Sequence, residues 1–209
     1  MRAVIFGATG RIGSHAVRSL VDRGDEVRAV SRSGSQPSIP GMVQVALDVR
    51  DDAAVTRAVA GTDAVIAAMG PRSDAREDED ALAAGMANIV RAMTESGVRR
   101  LVVLSGAGIT VPGDQKPVID RFVSAVVRQL AKHVVRAKQR EYEVIAASGL
   151  AWTALRPPLV IDGPARGYRL DLKLRPGARV TRADVGQALC DQLDDETFVR
   201  QAPFVLPLL

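Results

Sequence analysis

The stretch VIFGATGRIGSHAV, Val4 to Val17, constrains this chain more than any other. An apolar run suited to a strand ends at Gly7, and glycines recur at Gly10 and Gly13. Ile12, Ala16, Val17, Leu20 and Val21 then fall at helical spacing until Gly24. The same alternation continues downstream. Strands are predicted at 2–6, 26–32, 42–47, 63–70, 100–106 and 151–157. Helices are predicted at 11–24, 51–61 and 80–97, and over most of 118–148 with a break near His133. Val65, Ile66 and Ala67 run consecutively, as in a strand covered on both faces.

Strand–helix alternation of this kind implies an α/β fold: a doubly wound parallel sheet, the Rossmann fold, with helices on both faces. The 209 residues suffice for one sizeable core, so a single domain is expected. After Pro157 the pattern weakens. YRLDLKL (168–174) alternates like a strand, and TRADVGQALCDQL (181–193) opens with Thr181 and Asp184 in capping-box spacing. APFVLPLL (202–209) reads as a terminal strand. Residues 1–157 are the expected nucleotide-binding core and 158–209 a small C-terminal cap on the substrate side.

Open parallel sheets take ligands outside the carboxyl ends of their strands, where the strand order reverses, and the first strand-to-helix turn lies there. Gly7 permits a tight turn. Gly10 lets backbone approach a pyrophosphate with no Cβ in the way, and Gly13 lets the helix pack close to the strand. The helix N-terminus offers unpaired N–H groups and a positive dipole end to phosphates. Thr9, Arg11 and Ile12 lie in the same turn and count with the glycines as cofactor-binding, Arg11 as a second phosphate contact or a solvated charge.

Composition narrows the alternatives. The net charge of +4, from 28 Lys+Arg against 24 Asp+Glu, is weak and dispersed, and aromatic residues are 3%. No nucleic-acid partner is expected. No apolar run approaches the ~20 residues of a membrane span, and MRAVIF meets glycine too early for a signal peptide. A cytoplasmic location and no membrane partner are therefore expected. Two histidines, His15 and His133, and one cysteine, Cys190, leave no metal cluster or disulfide framework. Cys190 reads as a small buried hydrophobe.

GATGRIG, together with DAVIAAMG, LVVLSGAG, RAKQREYEVIAASGLAWTALRPP and TRADVGQAL, resembles the atypical short-chain dehydrogenases/reductases over nearly the whole chain. Within them it is similar to the NAD(P)H-binding, NmrA-like branch that includes biliverdin reductase B, a flavin reductase. The resemblance implies an NAD(P)-binding oxidoreductase. In NAD-specific sites of this fold a carboxylate ending the second strand holds the adenine ribose 2′-hydroxyl. Ser31 stands about there, followed by Arg32 and Ser33, and no Asp or Glu occurs between Glu26 and Asp48. An arginine gives a 2′-phosphate charge-assisted hydrogen bonds worth roughly 1.5–3 kcal/mol. NADP(H) is thus the expected cofactor, preferred over NAD(H) by roughly one to two orders of magnitude.

The resemblance also implies places for other residues. Asp48 would lie near the adenine amino group, its alternative role being an N-cap. Met69 and Gly70 would border the adenosine through backbone. Ser105 and Gly106 would face the nicotinamide half, and the backbone past Arg156, at Pro157 and Pro158, would meet the carboxamide; Arg156 could equally be an ion-pair partner. Most members of the family use a Tyr-x-x-x-Lys pair. Lys138 matches the lysine and would hold the nicotinamide ribose, but Val134 stands in place of the tyrosine. Gly106 stands where biliverdin reductase B carries a serine, leaving the hydroxyl of Ser105. Tyr142, on one helix face with Val134 and Lys138, is either a displaced donor or a packed aromatic. His133 is either near the site or a surface histidine. PRSDAREDED (71–80) and TVPGDQKPVIDRF (110–122) are expected as loops at the substrate rim, with Arg72 the foremost substrate ligand.

Hydride transfer to an acceptor whose reduced form is a stabilised anion needs no protein acid. The expected substrate is therefore a small conjugated molecule: a flavin, quinone or aromatic polyketide. The alternatives are an NADP(H)-binding redox-sensing regulator of the NmrA type, or an epimerase or isomerase that uses the dinucleotide transiently. The helices around 81–93 and 118–129 could pair subunits, so a monomer or a homodimer is expected.

Overall fold

The computed structural model describes residues 1–34, 39–71, 73–114 and 132–208. At its centre lies a parallel sheet of β1 (Arg2–Phe6), β2 (Glu26–Ser31), β3 (Met42–Ala46), β4 (Ala64–Ala67), β5 (Arg100–Leu104) and β6 (Ala151–Leu155). The spatial order is β3-β2-β1-β4-β5-β6. Ile5 of β1 is in register with Ala29 on one side and Ile66 on the other. The order reverses between β1 and β4, which opens a crevice at their carboxyl ends.

The described helices are α1 (Gly13–Asp22), α2 (Asp52–Val59), α3 (Arg76–Ser96), α4 (Lys132–Ala146) and α5 (Arg182–Asp191). Successive side chains of a strand point to opposite faces, so β1 feeds two cores. Ala3 and Ile5 join Val17 and Leu20 of α1 and Val185 and Leu189 of α5. Val4 and Phe6 join Val55 and Val59 of α2, Met86 and Ile89 of α3 and Ile145 of α4. Covering on both faces is why Val65, Ile66 and Ala67 are buried in succession. α5 crosses α1 closely: a Cβ at Gly186 would stand 2.5 Å from the His15 Cβ. Cys190 is buried in this layer.

One departure from the sequence reading concerns the rim. The second half of PRSDAREDED is helix and not loop, because α3 begins at Arg76. Glu77, Asp78 and Glu79 suit a helix N-terminus, and the Asp78 carboxylate accepts from the Ser73 N–H (2.9 Å) and hydroxyl (2.6 Å). α4 is described from Lys132; what precedes it, and with it the test of a break near His133, lies outside the described residues, as do Arg72 and the part of TVPGDQKPVIDRF beyond Asp114.

The tail divides between the layers and the crevice edge. α5 completes one helical layer, and the chain before β10 (Phe204–Pro207) runs beside β6, with Arg156 N–H donating to the Pro203 carbonyl (2.9 Å). β8 (Tyr168–Asp171) pairs antiparallel with β10. It stops short of the expected 168–174 because the Asp171 carboxylate accepts from Lys173 N–H and turns the chain. β7 (Leu159–Ile161) and β9 (Arg179–Thr181) form a parallel pair leading off from β6; at three residues each they leave no readable period. The capping-box residues meet through the hydroxyl. Thr181 Oγ1 accepts from Asp184 N–H and donates to Asp184 Oδ2 (2.7 Å), while Asp184 Oδ1 accepts from the Arg166 and Gly167 N–H groups, both at 2.9 Å.

Candidate dinucleotide site

The glycine turn joins β1 to α1. Gly7 has φ +83°, and a Cβ on it would stand 2.6 Å from the Ala68 carbonyl oxygen of the neighbouring strand end. A Cβ on Gly13 would collide with the Gly7 carbonyl oxygen. The turn is thus pressed between β4 and α1, and no side chain larger than hydrogen fits at either point. No side chain caps α1, and its first turn holds no acidic residue. Its amide dipole end is open to an anion.

A cavity of about 360 Å³ lies over this turn. Gly7, Thr9, Gly10, Ser31, Arg32, Asp48, Met69 and Gly70 all line it, so residues from four strand ends come together. Arg11, Ile12, Gly13 and Ser33 stand beside it in the same turns without lining it. The Ser31 hydroxyl accepts from Gly34 N–H (3.0 Å) and fixes the chain past β2, while Arg32 is exposed. Asp48 sits across from them. Its carboxylate accepts from Arg50, through the backbone N–H (2.9 Å) and the guanidinium Nε (3.0 Å). Those bonds, aided by the charge of Arg32, hold its pKa down at about 2. Asp48 does not cap α2; Asp51 does, accepting from Ala54 N–H at 3.0 Å. The sequence reading passed over Arg50, although LDVRDD places it two residues past Asp48, and over Ala81 and Leu82, the apolar wall from α3.

The remaining residues gather at the ends of β4, β5 and β6. Lys138 Nζ donates to the Met69 carbonyl (2.6 Å), the Leu104 carbonyl (2.6 Å) and Glu141 Oε2 (2.8 Å). An ammonium has three donors, and all are engaged. Glu141 is wholly buried, and burial raises its pKa against the opposing pull of Lys138. Ser105 is buried, and its Oγ has no hydrogen-bond partner among the described residues. Tyr142 packs edge-on to Trp152 in the core, ring centroids 5.8 Å apart, and burial raises its pKa.

Pro157 is buried beside Arg156, which is 1% exposed. The Arg156 guanidinium forks onto both Asp114 carboxylate oxygens at 2.7 Å and lies 3.9 Å over the Phe204 ring. Of its two proposed roles the structure shows the ion-pair partner. His133 is half-buried with Nδ1 3.0 Å from Glu79 Oε2, and Asp74 accepts from the His133 and Val134 N–H groups, tying α3 to α4. Among the described residues no acidic, His or Cys group could hold a metal, and no helix is long and apolar enough to cross a membrane.

The glycine cradle, the uncapped α1 and the cationic corner fit a dinucleotide, and comparison with known proteins agrees. The family model described as NAD(P)H-binding matches residues 7–196. The chain is 33% identical over 185 residues to a 3-diazoavenalumate denitrifying reductase of a Streptomyces species, covering 82% of this chain and 60% of that protein. It is 30% identical over 175 residues to the 2-alkyl-3-oxoalkanoate reductase of Stenotrophomonas maltophilia, covering 77% and 51%. It thus spans little more than half the length of these relatives. A short-chain dehydrogenase/reductase of Veillonella parvula solved in complex with NADP superposes with a TM-score of 0.78 at 23% identity, covering 98% of this chain and 93% of that one. ChuY, an anaerobillin reductase of Escherichia coli O157:H7, gives 0.80 at 18%, covering 99% and 97%. These two show the shared Rossmann fold. On the strength of the matched cradle and the family model, the chain belongs to the NAD(P)H-binding family and carries its dinucleotide cradle on a Rossmann fold.

Proposed function

We propose that this protein is an NADPH-dependent reductase of a small conjugated acceptor. The observation that carries the reading is the end of β2, where Ser31 and exposed Arg32 stand on the cavity in place of a carboxylate. Bound NADPH would supply the hydride. The chain's own part is to bind and orient: the Gly7–Gly13 turn and the start of α1 hold the diphosphate, Arg32 and Ser31 the 2′-phosphate, and Met69 and Gly70 the adenosine edge. Ser105 and Pro157 border the nicotinamide side. Lys138 keeps the ends of β4 and β5 at a fixed spacing beneath the ribose. With Val134 and Gly106 at the positions of the family's tyrosine and serine, the acceptor is one whose reduced anion takes its proton from water. Flavins, quinones and aromatic polyketides meet that requirement.

Steady-state NADPH oxidation with such a panel tests this, alongside titration of NADPH and NADH into wild type and Arg32→Ala. Turnover of a quinone or flavin is expected. Arg32→Ala should raise the Kd for NADPH by about 10- to 100-fold and leave NADH within about threefold. An unchanged NADPH advantage overturns the assignment. One observation favours a second reading, an NADP(H)-binding regulator without turnover: all three donors of Lys138 already meet protein acceptors. Binding of cofactor with no oxidation by any acceptor would select it.

A further inference from the structure

We propose that Arg50 is a specificity-determining residue for the phosphorylated dinucleotide, acting by locking Asp48 away from Arg32 and from the incoming 2′-phosphate. The inference rests on the NADPH reading above and adds a residue that reading does not use.

The corner of the cavity that carries Arg32 also carries a carboxylate, Asp48. A bare carboxylate there has two harmful options. It can pair with Arg32 and occupy the guanidinium meant for the ligand, or it can face a phosphate dianion of its own sign. The structure shows why it does neither. Arg50 Nε lies 3.0 Å from both Asp48 oxygens, and Arg50 Nη2 and the Arg50 backbone N–H add bonds to Oδ2 and Oδ1. All these donors come from one residue two positions along the chain, so the clamp forms without help from the rest of the fold. Asp48 remains ionised throughout the working pH range, which means that its charge must be balanced and not titrated away. Arg50 is 64% exposed on its side chain and lines the same cavity, so it faces the ligand's space. Counted as full charges, Arg32, Asp48 and Arg50 sum to +1; without Arg50 they sum to zero. A corner of zero net charge has no reason to prefer the dinucleotide that carries two more negative charges.

The test measures the Kd of NADPH and NADH for wild type, Arg50→Ala, Asp48→Asn and the double variant, by calorimetry or fluorescence at fixed ionic strength. Thermal melts confirm that each folds, as loss of an exposed ion pair allows. Arg50→Ala should weaken NADPH about tenfold and NADH less than threefold. Adding Asp48→Asn should return NADPH to within about threefold of wild type, because the clamp has then lost its object. Arg50→Lys, with charge but no fork, should fall between. Equal loss of both cofactors, or no loss, would reduce Arg50 to a surface charge and overturn the inference. So would a double variant as weak as Arg50→Ala, which would mean direct contact with phosphate. A wild type that shows no NADPH preference sinks the underlying reading. A preference that Arg32→Ala abolishes and Arg50→Ala leaves intact sinks this inference alone.

Discussion

At the end of β2, exposed Arg32 stands on an open cavity, next to the glycine turn and uncapped α1 that follow β1. At the ends of β4, β5 and β6, Lys138 and Arg156 are buried and aim their donors at protein oxygens: two strand carbonyls and Glu141 for the lysine, Asp114 and the Ala202 carbonyl for the arginine. Both halves of the crevice hold cations, but their charges do different things. An exposed cation at the end of β2 contributes little to folding and is available to a ligand. A buried cation at the ends of β4, β5 and β6 organises the strand ends. Deleting one of each should therefore separate stability from affinity.

The largest effect falls on Lys138. Lys138→Met removes the partner of a fully buried carboxylate and the donor to two carbonyls, Met69 and Leu104. A loss of about 3–5 kcal/mol is expected in urea unfolding. Glu141→Gln keeps a hydrogen bond to Nζ and should cost about 1–2 kcal/mol. Arg32→Ala should leave stability within about 0.5 kcal/mol. Were Lys138→Met as mild as Arg32→Ala, the contrast between the halves would be lost.

Next comes the cradle. Gly7→Ala places a Cβ against the Ala68 carbonyl at a φ that L residues rarely adopt. A cost of about 1–3 kcal/mol is expected, with NADPH and NADH weakened alike, since both share the diphosphate. A Gly7→Ala variant that binds both cofactors at wild-type strength would remove the turn from the site.

How much of this contrast is legible in the sequence follows from where each partner lies. The six sheet strands could be read because parallel strands covered on both faces are continuous apolar runs between glycine stops. The cradle could be read because all its residues fall within one turn. Lys138 could be placed but not understood. Its acceptors are backbone carbonyls 69 and 34 residues away, and every residue type carries a carbonyl. The Arg156–Asp114 fork has the same long-range character. The start of α3 was hidden because an acidic first turn is also what a solvated loop looks like. Arg50 was in plain view, but its meaning depends on Asp48 turning back upon it.

A smaller effect comes from pH. Asp48, held at about 2, takes up no proton between about pH 5.5 and 8, whereas a phosphate monoester has its second pKa near 6. As pH falls through that range the 2′-phosphate gains a proton and loses charge. NADPH affinity should therefore drop a few-fold, NADH affinity should hold, and Asp48→Asn should leave the curve's midpoint in place. A midpoint moved by Asp48→Asn would mean that the clamp does not keep the carboxylate ionised.

The smallest change belongs to Ser105. Its Oγ is buried, and no described residue accepts or donates to it. A hydroxyl in that position has lost its water without gaining a bond, so the fold gains nothing from keeping it. Ser105→Ala should move stability by less than about 0.5 kcal/mol, in the stabilising direction if in either. The partner for this hydroxyl, in our reading, arrives with the dinucleotide or the acceptor. The same variant should then lower kcat for a quinone by several-fold while the Kd for NADPH stays put, because a bond made to the acceptor's oxygen matters as negative charge builds there. A loss of stability above about 1 kcal/mol would mean that Ser105 holds up the fold, and the nicotinamide half would then hold no group reserved for chemistry.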